Sequence, residues 1–371
     1  MNFSIFLQTI LKRKKLLIAL SLIFIAAIGL TVWFAPKLAL THPVIKSSAV
    51  NSNVPPAAIQ AIGEEPIKQL GILFLGYGGA GHQGGMLSDV IQLVYLDAEK
   101  QTITLISIPR DLWVGLPTGQ EAKINTAFSL GSGEDVIMSG GQVAKHMAAT
   151  VTGLPSNYFV AVDFVGFQRL IGQDLKGIEV EVSETLDDQW YPIKGEELNI
   201  CDYTPEEVAE LSAKYSGFEL EKQFTCRYEH ILFKPGTNHM EGGDALKYVR
   251  SRHGSAGGDF SRSQRQHEVL QAIGKKLISL DALKNVEEIF KTVTGNVTTD
   301  LDLGGAIHLA AQLPNLPNFQ IKTITLSTEN VFTSSKSSAG AYIVIPKAGV
   351  NQWTQVHQYI QSQLATSEKE N

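Results

Sequence analysis

Four arginines stand within sixteen positions of this sequence, between Tyr248 and His267. They are Arg250, Arg252, Arg262 and Arg265. The whole chain carries a formal charge of -6, so the cluster indicates local chemistry and not a generally basic protein. The fixed fork of donors on a guanidinium suits phosphate or carboxylate. The stretch therefore predicts an anion site; the alternative is that these arginines pair with acidic side chains of the same domain.

The second half of this stretch has the spacing of a helix that begins near Asp259 as its N-cap. Its apolar residues are Val269, Leu270, Ile273, Leu277 and Leu280. At about 100° per residue, Arg262 and Gln266 lie within about 20° of Ile273, the centre of the apolar stripe, and Arg265 lies at its edge. The residues expected on the solvent side are His267 and Gln271. A buried guanidinium is costly unless it meets an anion, which favours a phosphate site on the inner face.

A second group of charges borders a predicted hairpin. Strands at Val90–Leu96 and Thr102–Ile108 are joined by the polar turn 97–101, so paired positions have numbers that add to about 198 or 199. Asp89 then lies opposite Arg110, and a carboxylate meets a guanidinium at one end of the sheet. An ordinary salt bridge at a sheet edge is the alternative interpretation.

The short apolar strand Gly71–Leu75 runs into a glycine-rich loop, with six glycines among residues 76–85. The loop allows close backbone approach to a ligand, but its spacing fits neither a Walker loop nor a Rossmann fingerprint. If the strand pairs parallel to the second hairpin strand, the loop opens at the end that carries Asp89 and Arg110. Open α/β sheets tend to bind ligands at such an end.

The N-terminal part predicts a membrane anchor. The basic group Lys12–Lys15 precedes residues 16–35, an uncharged run of twenty residues, which is about the length that crosses ~30 Å of hydrocarbon. The basic group places residues 1–15 in the cytoplasm and everything after Pro36 outside. A cleaved signal peptide is the alternative, although this apolar run is long for one. Residues 36–66, rich in Ala, Ser, Asn and Pro, are predicted to be an extracytoplasmic stalk.

The chain has 371 residues, of which 44% are hydrophobic, and can bury a substantial core. Between residues 67 and 365, predicted strands alternate with helices, which indicates an α/β sandwich. Further strands are expected at Asn157–Val162, Gly177–Val182 and Phe319–Leu326. Helices are expected at Glu134–Gly153, Phe164–Ile171, Met240–Tyr248, Val286–Val293, Leu303–Leu313 and Asn351–Leu364. The tail 366–371 is expected to fray.

Residues 186–235 are polar and without a clear period, and we interpret them as an irregular insertion over one edge of the domain. They contain the only two cysteines, Cys201 and Cys226. Outside the cytoplasm these two can pair, and a disulfide there would stabilise the fold by roughly 3 kcal/mol. Zinc binding is not indicated, since neither cysteine has a CxxC partner.

Six motifs, taken in order, resemble the LytR-CpsA-Psr family over about Leu70 to Leu280. They are Leu87–Val90, Ser107–Asp111, Lys123–Asn125, Val162–Phe167, Gly242–Arg252 and Asp259–Gln266. The resemblance implies a single-pass membrane protein with an outward-facing three-layer α/β/α sandwich around a mixed central sheet. It also implies transfer of a glycopolymer from a polyprenyl pyrophosphate carrier to peptidoglycan, with Mg²⁺ at the pyrophosphate.

Residue by residue, the resemblance implies that Asp89 holds the metal and that Arg110 contacts the pyrophosphate. The phosphate-binding set is then Arg110, Arg250, Arg252, Arg262, Arg265 and Gln266, and the orienting residues are Asp111 and Asp259. The sequence departs from the family where a second metal-binding Asp is usual, since it has Gly78, and where Arg is common, since it has Leu87. His82 is a candidate replacement ligand; the alternative is an exposed histidine without that role.

These features together predict a membrane-anchored transferase in which a sugar hydroxyl attacks a lipid-linked pyrophosphate, with Asp89 as the candidate base. Its expected partners are the lipid-linked glycan, a cell-wall acceptor and the membrane, with no nucleic acid. Two alternatives stay open. One is a hydrolase of the same pyrophosphate, and the other is a non-enzymatic binder of polyprenyl lipid or cell-wall glycan.

Overall fold

The computed structural model describes residues 66–81, 84–255, 259–279, 295–302, 305, 308, 309, 312 and 319–365. Several predictions lie outside these residues: the membrane anchor at 16–35, the stalk, His82, the helix at 286–293, most of the helix at 303–313 and the tail. Within the described residues, no helix combines the length and apolar character needed to span a bilayer.

The regular elements are as follows. The strands are β1 Gln69–Tyr77, β2 Ser88–Asp97, β3 Thr102–Ser107, β4 Trp113–Gly115, β5 Glu121–Lys123, β6 Tyr158–Asp163, β7 Ile178–Val182, β8 Leu186–Pro192, β9 Tyr228–Phe233, β10 Gly236–Met240, β11 Thr298–Thr299, β12 Gln320–Thr325, β13 Phe332–Lys336 and β14 Tyr342–Pro346. The helices are α1 Val136–Thr152, α2 Phe164–Arg169, α3 Pro205–Lys214, α4 Phe218–Glu221, α5 Gly242–Arg250, α6 Asp259–Ser279 and α7 Thr354–Ala365.

The described residues fall into two compact units. The first comprises those up to Leu175 and those from Ile273 onwards, and the second is Lys176–Ala272. In the described part of the first unit, six strands form one sheet in the order β11-β6-β1-β2-β3-β12. Because β1 runs antiparallel to β2 but parallel to β6, the sheet is mixed, as predicted.

The central strands are buried over most of their length, which explains why their sequences are nearly continuous apolar runs. On one face of the sheet, α1 and α7 pack over a core that includes Leu73, Leu93 and Phe159. Helix α1 approaches the sheet closely at Gly141, where an added Cβ would lie 2.3 Å from the ring of Phe159. A larger residue there would push the helix off the sheet.

The hairpin register is confirmed and the pairing of β1 is corrected. Gln92 lies opposite Ser107 and Asp97 opposite Thr102, which are the predicted positions. Strand β1 pairs with β2, not with β3 as supposed. Since β1 and β3 flank β2 and both run antiparallel to it, the glycine loop after Tyr77 still opens at the end where β3 finishes.

In the second unit, β7 pairs with β10 and β8 pairs with β9. The prediction that residues 186–235 are irregular is wrong, because they contain the β8–β9 hairpin and helices α3 and α4. The predicted disulfide between Cys201 and Cys226 is present. Helix α3 begins with a capping box formed by Thr204 and Glu207. The capping box helps to order this polar insertion, which lacks a large apolar core.

Candidate functional site

The first cluster of site residues lies in the first unit, where β2 begins and β3 ends. Asp89 is the second residue of β2, and Arg110 follows β3 by three positions. The Nη1 atom of Arg110 forms an ion pair with Oδ1 of Asp89. The side chains are 21% and 38% exposed, so both groups remain open to a ligand. The hairpin register alone brings them together.

The charges continue beyond this pair. The Oδ2 atom of Asp111 lies 3.5 Å from Nε of Arg110. Its Oδ1 atom accepts a hydrogen bond of 2.6 Å from Nζ of Lys123. The four groups Asp89, Arg110, Asp111 and Lys123 thus alternate in sign and sum to no net charge. A diphosphate at this place therefore needs further positive charge, or it must separate Arg110 from Asp89.

Asn125 is a residue of this cluster for which the sequence indicated no role. Its backbone N–H donates to the carbonyl oxygen of Arg110 at 3.2 Å, and the residue is 8% exposed. Its side-chain oxygen has no hydrogen-bond partner within the described structure. A buried acceptor without a partner is rare and requires an explanation. The only signal in the sequence was its place in the Lys-Ile-Asn motif.

The glycine loop meets a second carboxylate. Asp163, at the end of β6, lies beside Tyr77 in the sheet register, and its Oδ1 accepts the N–H of Gly166 at 2.6 Å to cap α2. Gly79 has a φ of 77°, and a Cβ there would lie 2.9 Å from Oδ2 of Asp163. Burial raises the pKa of the Tyr77 phenol, and the charge of Asp163 raises it further. The loop thus needs glycine at position 79.

The second cluster lies in the second unit, where α5 ends and α6 begins. Arg250 is the last residue of α5, and both Arg250 and Arg252 are exposed. The Arg250 guanidinium hydrogen-bonds the hydroxyl of Tyr191, which is 7% exposed. Burial raises the pKa of Tyr191, and the charge of Arg250 acts in the opposite direction. These two arginines present their charge to solvent from a defined backbone.

Arg265 is the most enclosed of the four arginines and is 5% exposed. Its Nε donates to the carbonyl of Tyr248 at 2.8 Å, its Nη2 to the carbonyl of Ser251 at 2.5 Å and its Nη1 to Oγ of Ser255 at 3.0 Å. Burial lowers the pKa of this guanidinium. Arg265 also lines a shallow depression, open to solvent, with room for about one water molecule, which is far too small to be an ordinary ligand pocket.

The helical period predicted the inner face of α6 only in part. Gln266 is 9% exposed, as expected of an inward residue. Arg262, predicted to lie as near the centre of the stripe as Gln266, is only half-buried and is less enclosed than Arg265, which was predicted at the edge. The prediction that His267 faces solvent is wrong, because it is 3% exposed. Burial lowers its pKa to about 4, so this histidine is neutral near pH 7. Helix α6 begins at Asp259, as predicted.

The chain is similar to known proteins along most of its length. The sequence profile of the LytR_cpsA_psr family matches residues 41–357. Polyisoprenyl-teichoic acid–peptidoglycan teichoic acid transferase TagV of Bacillus subtilis (strain 168) is 26% identical over 333 residues, which are 88% of this chain and 73% of that protein.

Two solved structures share the fold. The crystal structure of B. subtilis TagV matches with a TM-score of 0.54 and 24% identity over 81% of this chain and 98% of that chain. The structure of TagT bound to LIIa-WTA matches with a TM-score of 0.52 and 22% identity over 83% of this chain and 99% of that chain. Both support the mixed α/β architecture around a central sheet.

Proposed function

The chain belongs to the LytR_cpsA_psr family, and from this premise we propose that it is a transferase acting outside the cytoplasm. It moves a glycopolymer from a polyprenyl pyrophosphate carrier to a cell-wall acceptor such as peptidoglycan. The observation that carries the proposal is the Asp89–Arg110 pair at the strand ends, in a chain whose relative TagV is named as a teichoic acid transferase. We further propose that helices cover both faces of the central sheet, as in the three-layer α/β/α sandwich that is implied by the resemblance to the family.

In the proposed reaction, a hydroxyl oxygen of the acceptor forms a bond to the phosphorus that carries the glycopolymer. The bond from that phosphorus to the bridging oxygen breaks, and polyprenyl phosphate leaves with the electron pair. Asp89 accepts the proton of the hydroxyl. In the first unit, Arg110 binds phosphate oxygens. The phosphate-binding side chains that we propose for the second unit are Arg250, Arg252, Arg262 and Gln266. Arg265 is no longer included, because its three nitrogens already donate to Tyr248, Ser251 and Ser255. Such a reaction depends mainly on positioning and electrostatic stabilisation.

The residues present fit a Mg²⁺ site only in part. Within the described residues, no group of three or more His, Cys, Asp or Glu side chains is arranged to hold a metal ion. Asp89 has one oxygen engaged by Arg110, and Gly78 supplies no carboxylate. Magnesium is commonly held by one or two carboxylates together with substrate phosphates. We therefore propose that Asp89 holds Mg²⁺ only in the lipid complex, where the ion would neutralise pyrophosphate charge.

Titration with Mg²⁺ is expected to show weak binding to the free protein and tight binding once farnesyl pyrophosphate is present. Asp89→Asn should remove most of the tight binding, because it removes the protein's carboxylate. Gly78→Asp should strengthen binding to the free protein, because it restores the family's second carboxylate. Isothermal calorimetry on the three proteins measures each effect. Equal metal affinity of Asp89→Asn and wild type in the lipid complex would exclude Asp89 as the ligand.

Arg262→Ala is expected to weaken binding of farnesyl pyrophosphate by about 2 kcal/mol, roughly 30-fold, because a charged contact to phosphate is lost. Thermal stability should stay within a few degrees, because Arg262 is half-buried. Lys275→Ala, which removes an exposed cation from the same helix, is the control and should bind like wild type. A loss of folding without a separate loss of binding would instead make Arg262 a structural residue.

We propose that the chain is a single-pass membrane protein with residues 1–15 in the cytoplasm, residues 16–35 as the anchor and the catalytic domain outside. Protease added to intact cells is then expected to digest the part after Pro36 while a cytosolic marker survives. The fragments can be followed with an antibody against the C-terminal domain. Protection of the whole chain under those conditions contradicts this orientation.

The proposed function is tested with a synthetic polyprenyl-pyrophosphoryl sugar, with and without a peptidoglycan acceptor. Transfer predicts release of polyprenyl phosphate only when the acceptor is present. Release without acceptor makes the protein a hydrolase of the same substrate. Binding without turnover in either mixture makes it a non-enzymatic lipid binder.

A further inference from the structure

The segment Ser251–Ser255 follows Arg250, the last residue of α5, and carries the exposed Arg252. The segment sets the direction of Arg252, whereas Arg250 is placed by helix α5 and by its hydrogen bond to Tyr191. Long exposed side chains bind a ligand tightly only when the backbone that carries them is already placed, because ordering it on binding has an entropic cost. The contacts that hold this segment therefore bear on phosphate binding.

On one side, α6 holds the segment through Arg265. That guanidinium donates to the carbonyl oxygens of Tyr248 and Ser251 and to Oγ of Ser255. Tyr248 lies near the end of α5, and Ser251 and Ser255 lie at the two ends of the segment. A buried charge that binds backbone carbonyls fixes their position strongly.

On the other side, the insertion holds the segment through Asp188 of β8. Its Oδ2 accepts a hydrogen bond of 2.6 Å from Oγ of Ser251, and its Oδ1 accepts the N–H of Trp190 at 2.9 Å. Asp188 and Ser251 are each 1% exposed. A carboxylate so enclosed is tolerated because it is hydrogen-bonded, and Ser251 is one of its two partners.

Backbone and ring contacts repeat this link between the insertion and the segment. The N–H of Asp187 donates to the carbonyl of Gly254 at 3.1 Å. Gly254 has a φ of 78°, and a Cβ there would lie 2.1 Å from the Asp187 carbonyl oxygen. The rings of Phe218 and His253 stack with centroids 5.0 Å apart. The insertion thus contacts the segment at His253 and Gly254 as well as at Ser251.

We propose that Asp188 is a positioning residue for pyrophosphate binding: its bond to Ser251, together with the bonds of Arg265, holds the segment so that Arg252 faces the phosphates. Arg265 positions the same backbone segment through its hydrogen bonds. By this account the insertion contributes to phosphate binding. The inference rests on the proposed function, since it takes a lipid pyrophosphate as the ligand.

The first test is calorimetric titration with farnesyl pyrophosphate. Asp188→Asn and Ser251→Ala are each expected to weaken binding about tenfold. Asp188→Asn removes the charge that strengthens the bond to Ser251, and Ser251→Ala removes that bond together with the contact of its Oγ to the carbonyl of His253. The matched control is Asp187→Asn, whose side chain is half exposed and pairs with His230; it should bind within about twofold of wild type. Wild-type affinity in both test variants overturns the inference while the proposed function stands.

The second test separates positioning from general loss of structure by a double-mutant cycle. Arg252→Ala is expected to weaken binding about tenfold in the wild-type background but less than about threefold in the Asp188→Asn background, because Arg252 is already displaced there. Additive losses overturn the inference. Should Asp188→Asn fail to fold, the cycle between Ser251→Ala and Arg252→Ala decides by the same criterion. Absence of farnesyl pyrophosphate binding by the wild type would instead contradict the proposed function itself.

Discussion

Arg110→Ala is expected to slow glycopolymer transfer by about 10²–10³-fold, the usual effect of removing one pre-oriented donor from a site where charge develops. The guanidinium is held between Asp89 and Asp111 before substrate arrives, so it is already at the end of the sheet where we propose that the pyrophosphate binds. Stability should change by less than about 1 kcal/mol, because the pair it forms with Asp89 is partly exposed to solvent. Single-turnover rates with a synthetic lipid-linked substrate measure the effect.

Two variants sharpen this test. Lys123→Ala removes the other cation of the same cluster, which touches Asp111 and not Asp89, and it should reduce the rate far less. Arg110→Lys should recover only part of the rate, because a single ammonium cannot present two parallel donors. If Arg110→Ala transfers within about threefold of wild type, the pair with Asp89 is an ordinary salt bridge.

Asp300→Ala is expected to destabilise the protein by about 3–5 kcal/mol, the range for breaking a buried ion pair from one side. Asp300 pairs with Lys145 of α1 and accepts hydrogen bonds from the N–H of Phe159 at 2.8 Å and from Nε2 of Gln142 at 3.0 Å. Lys145 is 8% exposed and also donates to the carbonyl of Asn157 at 2.9 Å. Removing the carboxylate leaves that ammonium buried without its counter-charge.

Urea unfolding at pH 7 measures this effect. Asp302→Ala is the matched control, since Asp302 is an exposed carboxylate two positions away that accepts one hydrogen bond, from Gly305; it should cost about 1 kcal/mol. A loss below about 1 kcal/mol for Asp300→Ala would mean that water or rearrangement solvates Lys145. Because Asp300 contacts Lys145, Phe159 and Gln142 and not Arg110, the variant should retain pyrophosphate affinity below its unfolding transition.

The features that the sequence predicted well are local ones. A short turn between two apolar strands leaves little freedom of register, so the pattern of the hairpin is enough to place Asp89 opposite Arg110. The cysteine pair was likewise predictable, because the chain has only two cysteines, and the start of α6 was predicted to within one residue. In each case the residues concerned are near in the chain or have no other possible partner.

The partner of β1 was not predictable in this way. Its residues are apolar on both faces, so alternation does not identify which neighbouring strand it joins. The choice of β2 and β6 depends on contacts between segments far apart in the chain. The same limit applies to His267, since a helical period ranks the sides of a helix but does not say how many of them are covered.

By itself the sequence determined which chemical groups the protein possesses: a cluster of four arginines, a carboxylate opposite Arg110 and a loop with six glycines. Tertiary structure decided how those groups are used. Arg265 binds backbone carbonyls, and Asp188 lies against Ser251, which is 63 positions away in the chain. Hydrogen bonds between such distant residues follow from the packing of whole elements, and no local pattern in the chain encodes that packing.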